Sequence, residues 1–412
     1  MFYAEAALIG ITALKEGQPE KALRYLDMAL SAVDVNEVDE EEKKFIVLIK
    51  QTRGIAYSRT GNLEASMRQM EEALELDNFE SGDKVMDNAT KINAAIAFAD
   101  MGKMEKALEY ADSVSIISMP KNMNAATTLL ALATVYAKNL ETRGDKAKMA
   151  LLKAKGIFEE IGADKEELFE SLSLLYKGLA EVALKHDGDK GKMLGYCSKG
   201  WSLAKKIGLE KVKHKLFGLA ELCNLAIGNT TEEDEFFWNV NTIEVSSKML
   251  EVNSHPVLAA TLYINASLSL YPRFVAKNAE LNPQLADLCL EILSDGSEPE
   301  IVLATAQWLC AYKHSREGRY YGDRALSRKM TSLLRMSAKT LEKYGTENTS
   351  VYASIKSIMA DVHFSRGEYA LSAQEYKLAG SIYVAVFGGS NARAKYCEER
   401  MKAAIAAMKD SE

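Results

Sequence analysis

The chain has 412 residues, of which 48% are hydrophobic and only 6 are proline, with a formal net charge of −7. The acidic balance argues against general nucleic-acid binding, and an alanine-rich chain this poor in proline points to an all-α protein. No window approaches the run of about 18 uncharged apolar residues that a membrane helix needs.

The apolar start, MFYAEAALIGITAL, lacks a basic leader and contains Glu5, so it reads as structure rather than as a signal peptide. The first predicted hairpin covers 1–33. In GITALKEGQPEKALRYLDMA, Gly10 and Gly17 stand seven apart, followed by Ala22 and Ala29 seven apart, with Leu26 between them. The pattern returns in 42–78 with Gly54, Tyr57, Gly61, Ser66, Met70 and Ala73, and in 86–118 with Ala95, Phe98, Gly102, Ala107 and Ala111. Further hairpins are predicted over 122–161, 164–208, 209–252, 255–295 and 298–344. The pattern sharpens again in 347–386, with Ala360, Gly367, Ser372, Tyr376 and Ala379. A last helix over 389–410 is predicted to cover the open end of the stack. The acidic stretch 34–42 and the Ser81-Gly82-Asp83 bend separate early units.

Gly17, Gly61, Gly102, Gly144, Gly188 and Gly228 recur at intervals of 40–44 residues and are read as the turns between paired helices; Gly318 and Gly367 continue the series. One turn without glycine is expected near Lys277-Asn278. A glycine inside a helix costs about 0.5–1 kcal/mol relative to alanine. Gly10 and Gly54 therefore imply a packing reason: small residues sit where two helices touch.

At these residues the chain resembles the tetratricopeptide repeat family. The match is strong over 3–118 and 347–386 and weaker from 122 to 345. The units are longer than the usual repeat of about 34 residues, as in kinesin-light-chain-like or Rapsyn/LGN-like arrays. The resemblance implies an all-α, right-handed superhelical solenoid whose first helices line a concave groove. It implies a scaffold or adaptor that binds a peptide or amphipathic helix of a partner protein, rather than a reaction. Carried onto this sequence, the groove positions are Ala7, Ile11 and Leu14, then Gln51, Ile55, Ser58 and Arg59, then Ile92, Asn93, Ile96 and Ala99. The charged clamp that some family members use for a partner's C-terminal carboxylate is missing, so an apolar groove is expected. The alternative is that these isoleucines pack against a neighbouring unit. A second functional reading is a regulatory or sensor module whose curvature changes on binding and controls an effector. The first repeat starts at Phe2-Tyr3, which fits a piece of a larger protein.

Phe236, Phe237 and Trp238 follow an acidic run and are candidate interface anchors. Three consecutive helical residues spread over about 200°, so one face is expected outside a single core seam, unless two neighbouring units each bury one side. Basic residues cluster at Lys199, Lys205, Lys206, Lys211, Lys213 and Lys215, and again at Arg319, Arg324, Arg328, Lys329, Arg335 and Lys339. They suit either an acidic partner or a solvated convex face.

Catalysis is not expected. The five histidines, His186, His214, His255, His314 and His363, are read as lacking a metal-ligand partner at three or four residues' spacing. Gly388-Gly389-Ser390 lacks the ending of a phosphate loop, and no nucleophile elbow appears. The cysteines Cys197, Cys223, Cys289, Cys310 and Cys397 are scattered, as suits small hydrophobes in a reducing, cytoplasmic compartment. No cofactor, metal, nucleic acid or membrane insertion is expected.

Overall fold

The computed structural model describes residues 2–15, 18–33, 39–77, 84–162, 166–277, 279–294, 299–318 and 323–410. Gly17, Asn278, Arg319, most of the 34–42 linker and the 81–83 bend lie outside them. Among the described residues there is no β-strand, and the chain is all-α, folded as successive helix hairpins. It divides into two compact units, Met1–Leu203 and Ala204–Glu412.

In the first unit the helices are α1 (Phe2–Lys15), α2 (Pro19–Ser31), α3 (Glu40–Arg59), α4 (Leu63–Asp77), α5 (Lys84–Asp100), α6 (Met104–Asp112), α7 (Met123–Ala137), α8 (Leu140–Ile161), α9 (Phe169–Lys185) and α10 (Lys190–Ile207), the division falling within α10. The first helices stack side by side, α1 on α3, α3 on α5, α5 on α7 and α7 on α9, and α2, α4, α6 and α8 each pack on the helix before them. One core runs from Met70 on α4 to Val182 on α9, and a smaller one joins α1, α2 and α3.

Local chemistry explains the boundaries. Asp39 caps α3 reciprocally: its carboxylate accepts from the Glu42 N–H at 2.8 Å while the Glu42 side chain accepts from the Asp39 N–H. Asn122 caps α7 in the same sense, accepting from Ala125 N–H at 2.9 Å. Three hairpins end their first helix in one geometry. Gly61, Gly102 and Gly367 hold φ of 80°, 74° and 77°. The following residue's N–H reaches back five positions, Asn62 to Tyr57, Lys103 to Phe98 and Glu368 to His363, each at 2.9 Å. This closure requires the left-handed conformation that glycine adopts without strain.

The repeat's small residues are contact points. A Cβ at Gly10 would lie 2.8 Å from Leu26 Cγ and 3.2 Å from the Ala22 carbonyl oxygen. At Gly54 it would meet Met70 at 2.9 Å and the Ser66 carbonyl oxygen at 3.3 Å. One glycine of the periodic series is not a turn. Gly144 is buried inside α8, and the turn of that hairpin is formed at Lys138 and Asn139. Gly228 does stand in the turn between α12 and α13, in right-handed conformation at φ −72°. Periodicity alone does not separate a glycine that turns the chain from one that lets a helix approach.

The second unit holds α11 (Leu209–Val212), α12 (Phe217–Ile227), α13 (Glu232–Glu251), α14 (Pro256–Ala276), α15 (Ala286–Leu293), α16 (Glu300–Arg316), α17 (Arg324–Lys343), α18 (Ser350–Ser365), α19 (Tyr369–Phe387) and α20 (Ala392–Lys409). First helices again adjoin, α12 with α14, α14 with α16, and α16 with α18. Here α14 also touches α18 directly. The start of α20 returns to the end of α14, where Asn391 Nδ2 donates to the Val275 carbonyl oxygen at 2.8 Å. The Tyr271 and Tyr383 hydroxyls meet at 3.1 Å across the same closure.

Candidate functional site

The first-helix residues named from the sequence mostly serve the stacking of α1, α3 and α5. Ala7 and Leu14 are buried in the smaller core, and Ile92 and Ala99 in the larger one. Gln51 is also buried; its amide donates to Thr90 Oγ1 at 2.6 Å and accepts from Asn93 Nδ2 at 2.9 Å, clasping α3 to α5. Ile11, Ile55 and Ile96 are half-buried against these cores. Ser58 is half-buried, while the exposed Arg59 donates to the Leu14 carbonyl oxygen at 2.8 Å. Of the aromatic triplet, Trp238 is buried and Phe236 is half-buried, its ring 6.4 Å from that of Phe274. Phe237 is 47% exposed and stands edge-on to Trp238. In the basic clusters, Lys205 pairs with Glu244 and Lys213 with Glu210. Arg324, Arg328, Lys329, Arg335 and Lys339 are exposed along α17.

An apolar trough does occur on first helices, but on the fourth and fifth hairpins. It is a cleft of about 530 Å³ between α7 and α9, lined by Thr127, Leu130, Ala131, Thr134, Ala137, Leu174 and Gly178 among others. The rest of α7 is buried nearly all round; Thr127, Ala131, Thr134 and Lys138, spaced by four, three and four, form the stripe left over. Leu151 of α8 makes the floor, and a Cβ at Gly178 would come within 2.9 Å of it. The missing side chain lets α9 settle onto α8. Thr127 and Thr134 turn their hydroxyls to their own helix, bonding Asn124 and Ala131 carbonyl oxygens at 2.9 and 2.7 Å. The wall therefore asks little hydrogen bonding of a visitor. Lys138 and the Lys177–Glu181 pair place charge at the edges. The four-three spacing of Thr127, Ala131 and Thr134 was visible in the sequence, but nothing there distinguishes a stripe facing open space from one facing another helix.

The second unit carries a polar cleft of about 570 Å³ bordered by α16, α18 and α20. Arg393 reaches Glu280 at 2.6 Å, and Tyr312 donates to the same carboxylate at 2.7 Å. Trp308 Nε1 donates to Ser354 Oγ at 3.1 Å. The buried Asp361 accepts from the Tyr376 hydroxyl and from Tyr396 at 2.6 Å. Burial pushes the Asp361 carboxyl above its ordinary range, opposed by those two hydroxyl donors and by the Arg400 charge. Arg400 stacks over Phe364 at 4.2 Å. These contacts tie α16, α18, α19 and α20 together, so the network reads first as the brace that closes this unit.

A third cluster lies between α15 and α16. Asp287 Oδ1 is 2.9 Å from Cys310 Sγ and 3.0 Å from His314 Nε2, and Lys313 Nζ holds Oδ2 at 2.7 Å. This corrects the sequence reading of the histidines: Cys310 precedes His314 by four residues and shares its helix face. The signal was present, but a Cys–His pair on a buried helix is silent until Asp287 is brought beside it.

No family model matches the chain, and no curated protein matches it. Among solved structures it is similar to the APC/C hetero-tetramer Cut9–Hcn1, at 13% identity over 100% of this chain and 86% of that one, with a TM-score of 0.36. It is similar also to a circular tandem repeat protein with novel repeat topology, at 14% identity over 99% and 95%, TM-score 0.29. A third is yeast Tom70, at 12% identity over 100% and 96%, TM-score 0.22.

Proposed function

We propose that this protein is a non-enzymatic scaffold that takes an apolar stretch of a partner protein, as a peptide or the face of an amphipathic helix, in the trough between α7 and α9. The observation that carries the reading is the trough itself: an open cleft on adjoining first helices, walled mostly by small and apolar side chains, with the Thr127 and Thr134 hydroxyls bonded within their own helix. Apolar side chains entering it lose water without leaving buried donors unpaired. A rigid wall of packed helices also spares the partner's site most of the ordering cost of binding. The net charge of −7 favours a protein over a nucleic acid. Five buried free thiols suit the reducing cytoplasm, and among the described residues no helix is long and apolar enough to cross a membrane.

The test is a peptide selected on the intact chain from a displayed library, followed by its affinity for Thr134→Glu and Leu174→Glu variants. Thr134 is exposed and Leu174 half-buried, so the substitutions bring a charge to the wall with little cost to folding. A loss of tenfold or more, with unchanged circular dichroism, is expected. Equal affinity of selected peptides for both variants and the parent chain refutes the trough as the binding site.

A further inference from the structure

We propose that Asp287, Cys310 and His314 form a zinc site, with a monodentate carboxylate, a thiolate and an imidazole as ligands and water in the fourth position. The three donor atoms lie within 4.8 Å of one another. They come from only two packed helices, α15 and α16. Cys310 and His314, at i and i+4, chelate from one helix face, and Asp287 closes the third corner from the other.

Two of the three donor separations come close to those around a zinc ion. Zinc bonds of about 2.3 Å to sulfur and about 2.0–2.1 Å to nitrogen and oxygen, at tetrahedral angles, put sulfur about 3.5 Å and nitrogen about 3.3 Å from the carboxylate oxygen. The present separations are 2.9 and 3.0 Å. Opening them by about half an ångström asks only for a small rotation of Asp287, whose side chain is 40% exposed and within reach of ions from solvent. Cys310 and His314 are held by the core, at 0% and 9% exposure.

The surrounding groups suit a bound cation. Coordination through Oδ1 leaves Oδ2 to Lys313, which already holds it and fixes the carboxylate's orientation. His314 Nδ1 is buried without a hydrogen-bond partner, and the Glu317 carboxylate stands 3.7 Å from it. An acceptor at Nδ1 is what fixes the Nδ1–H tautomer and aims the Nε2 lone pair at a metal. Charge balances as well. Binding releases the Cys310 thiol proton to solvent, and the Asp287 carboxylate and Cys310 thiolate then match the charge of the zinc ion.

The experiment titrates Co²⁺ into the full chain, freed of purification tag and of metal by chelation. Expected are a thiolate-to-cobalt charge-transfer band and the intense visible bands of a tetrahedral ion, saturating at one equivalent and displaced by Zn²⁺. Cys310→Ser removes the charge-transfer band, and Asp287→Asn weakens Zn²⁺ binding tenfold or more. The buried Cys289→Ser serves as control and retains the spectrum. X-ray absorption at the zinc edge of the parent chain provides a readout independent of any variant: one sulfur near 2.3 Å with lighter neighbours near 2.0 Å is expected from the bond lengths. Absence of the charge-transfer band in the folded chain, its survival in Cys310→Ser, or a zinc edge fitted without sulfur overturns the site.

Discussion

Two glycines of α8 should answer the same substitution with opposite signs. Gly156 faces open space, with nothing within 4 Å of where an alanine methyl would stand. Gly144 is buried, and a Cβ there would lie 2.2–2.7 Å from three atoms of the His186 ring, which packs across α8 and reaches Asp145 at 3.2 Å. Replacing either glycine by alanine removes the same backbone freedom from the unfolded chain, worth about 0.5–1 kcal/mol in favour of the helix. At Gly156 that gain stands alone, so Gly156→Ala is expected to stabilise. At Gly144 the imidazole must swing out, and overpacking of this kind costs about 1–3 kcal/mol. Because helix and substitution are shared, the propensity contribution cancels between the variants, and their difference isolates the packing cost. Equilibrium urea unfolding followed by far-ultraviolet circular dichroism should show the two separated by about 1–3 kcal/mol. Adding His186→Ala to Gly144→Ala should recover most of that loss, since the clash partner is then gone. Equal shifts for both glycine variants, or no recovery in the double variant, refute the assignment of Gly144 as a contact point.

Asn391 bonds the Val275 carbonyl oxygen and also caps α20 through the Arg393 N–H at 2.9 Å; Asn391→Ala should cost about 1–3 kcal/mol and raise amide exchange at the start of α20. Burial acts to raise the Asp112 carboxyl, but the hydrogen bond and charge of Lys146, with Arg143, outweigh it and hold it below its ordinary 3.8. A depressed carboxylate stabilises the fold above its unfolded value and loses that contribution as pH falls through the folded one. Asp112→Asn should therefore be less stable than the parent chain by about 0.5–1 kcal/mol at neutral pH, with the gap closing below about pH 4; a gap that persists in acid refutes the ion-pair account. Burial pushes the Cys197 thiol up to about 12 and the Cys397 thiol up to about 11. Both should react with a disulfide reagent at neutral pH only as fast as the protein opens, so labelling should accelerate in step with added denaturant.

The hairpins were legible because each element carries its own cause. Gly61, Gly102 and Gly367 fall where left-handed closure is needed, and Gly10 and Gly54 fall opposite Leu26 and Met70. Such requirements act over one hairpin, and so they repeat in the chain as a pattern. Gly144 shows where the pattern misleads: a missing side chain serves a turn and a helix contact equally well. The groove was the least legible feature. Ala7, Leu14 and Ile92 and the small residues of α7 share a helical position and similar chemistry. The first three are covered by neighbouring helices, and Thr127, Ala131 and Thr134 border a cleft.

What the amino-acid order determined by itself is the helix, its amphipathic stripe, its caps and the close crossing within each pair, all settled by residues near one another in the chain. What only the tertiary structure decided depends on distances the chain order does not encode. Asp287 reaches Cys310 and His314 because α15 and α16 pack together. Asn391 reaches Val275 because α20 returns to α14. The trough stays open because Gly178 lets α9 settle against Leu151. Hydrophobic burial is non-directional, so a stripe of apolar residues states that it will be covered, and only the packed arrangement states by what.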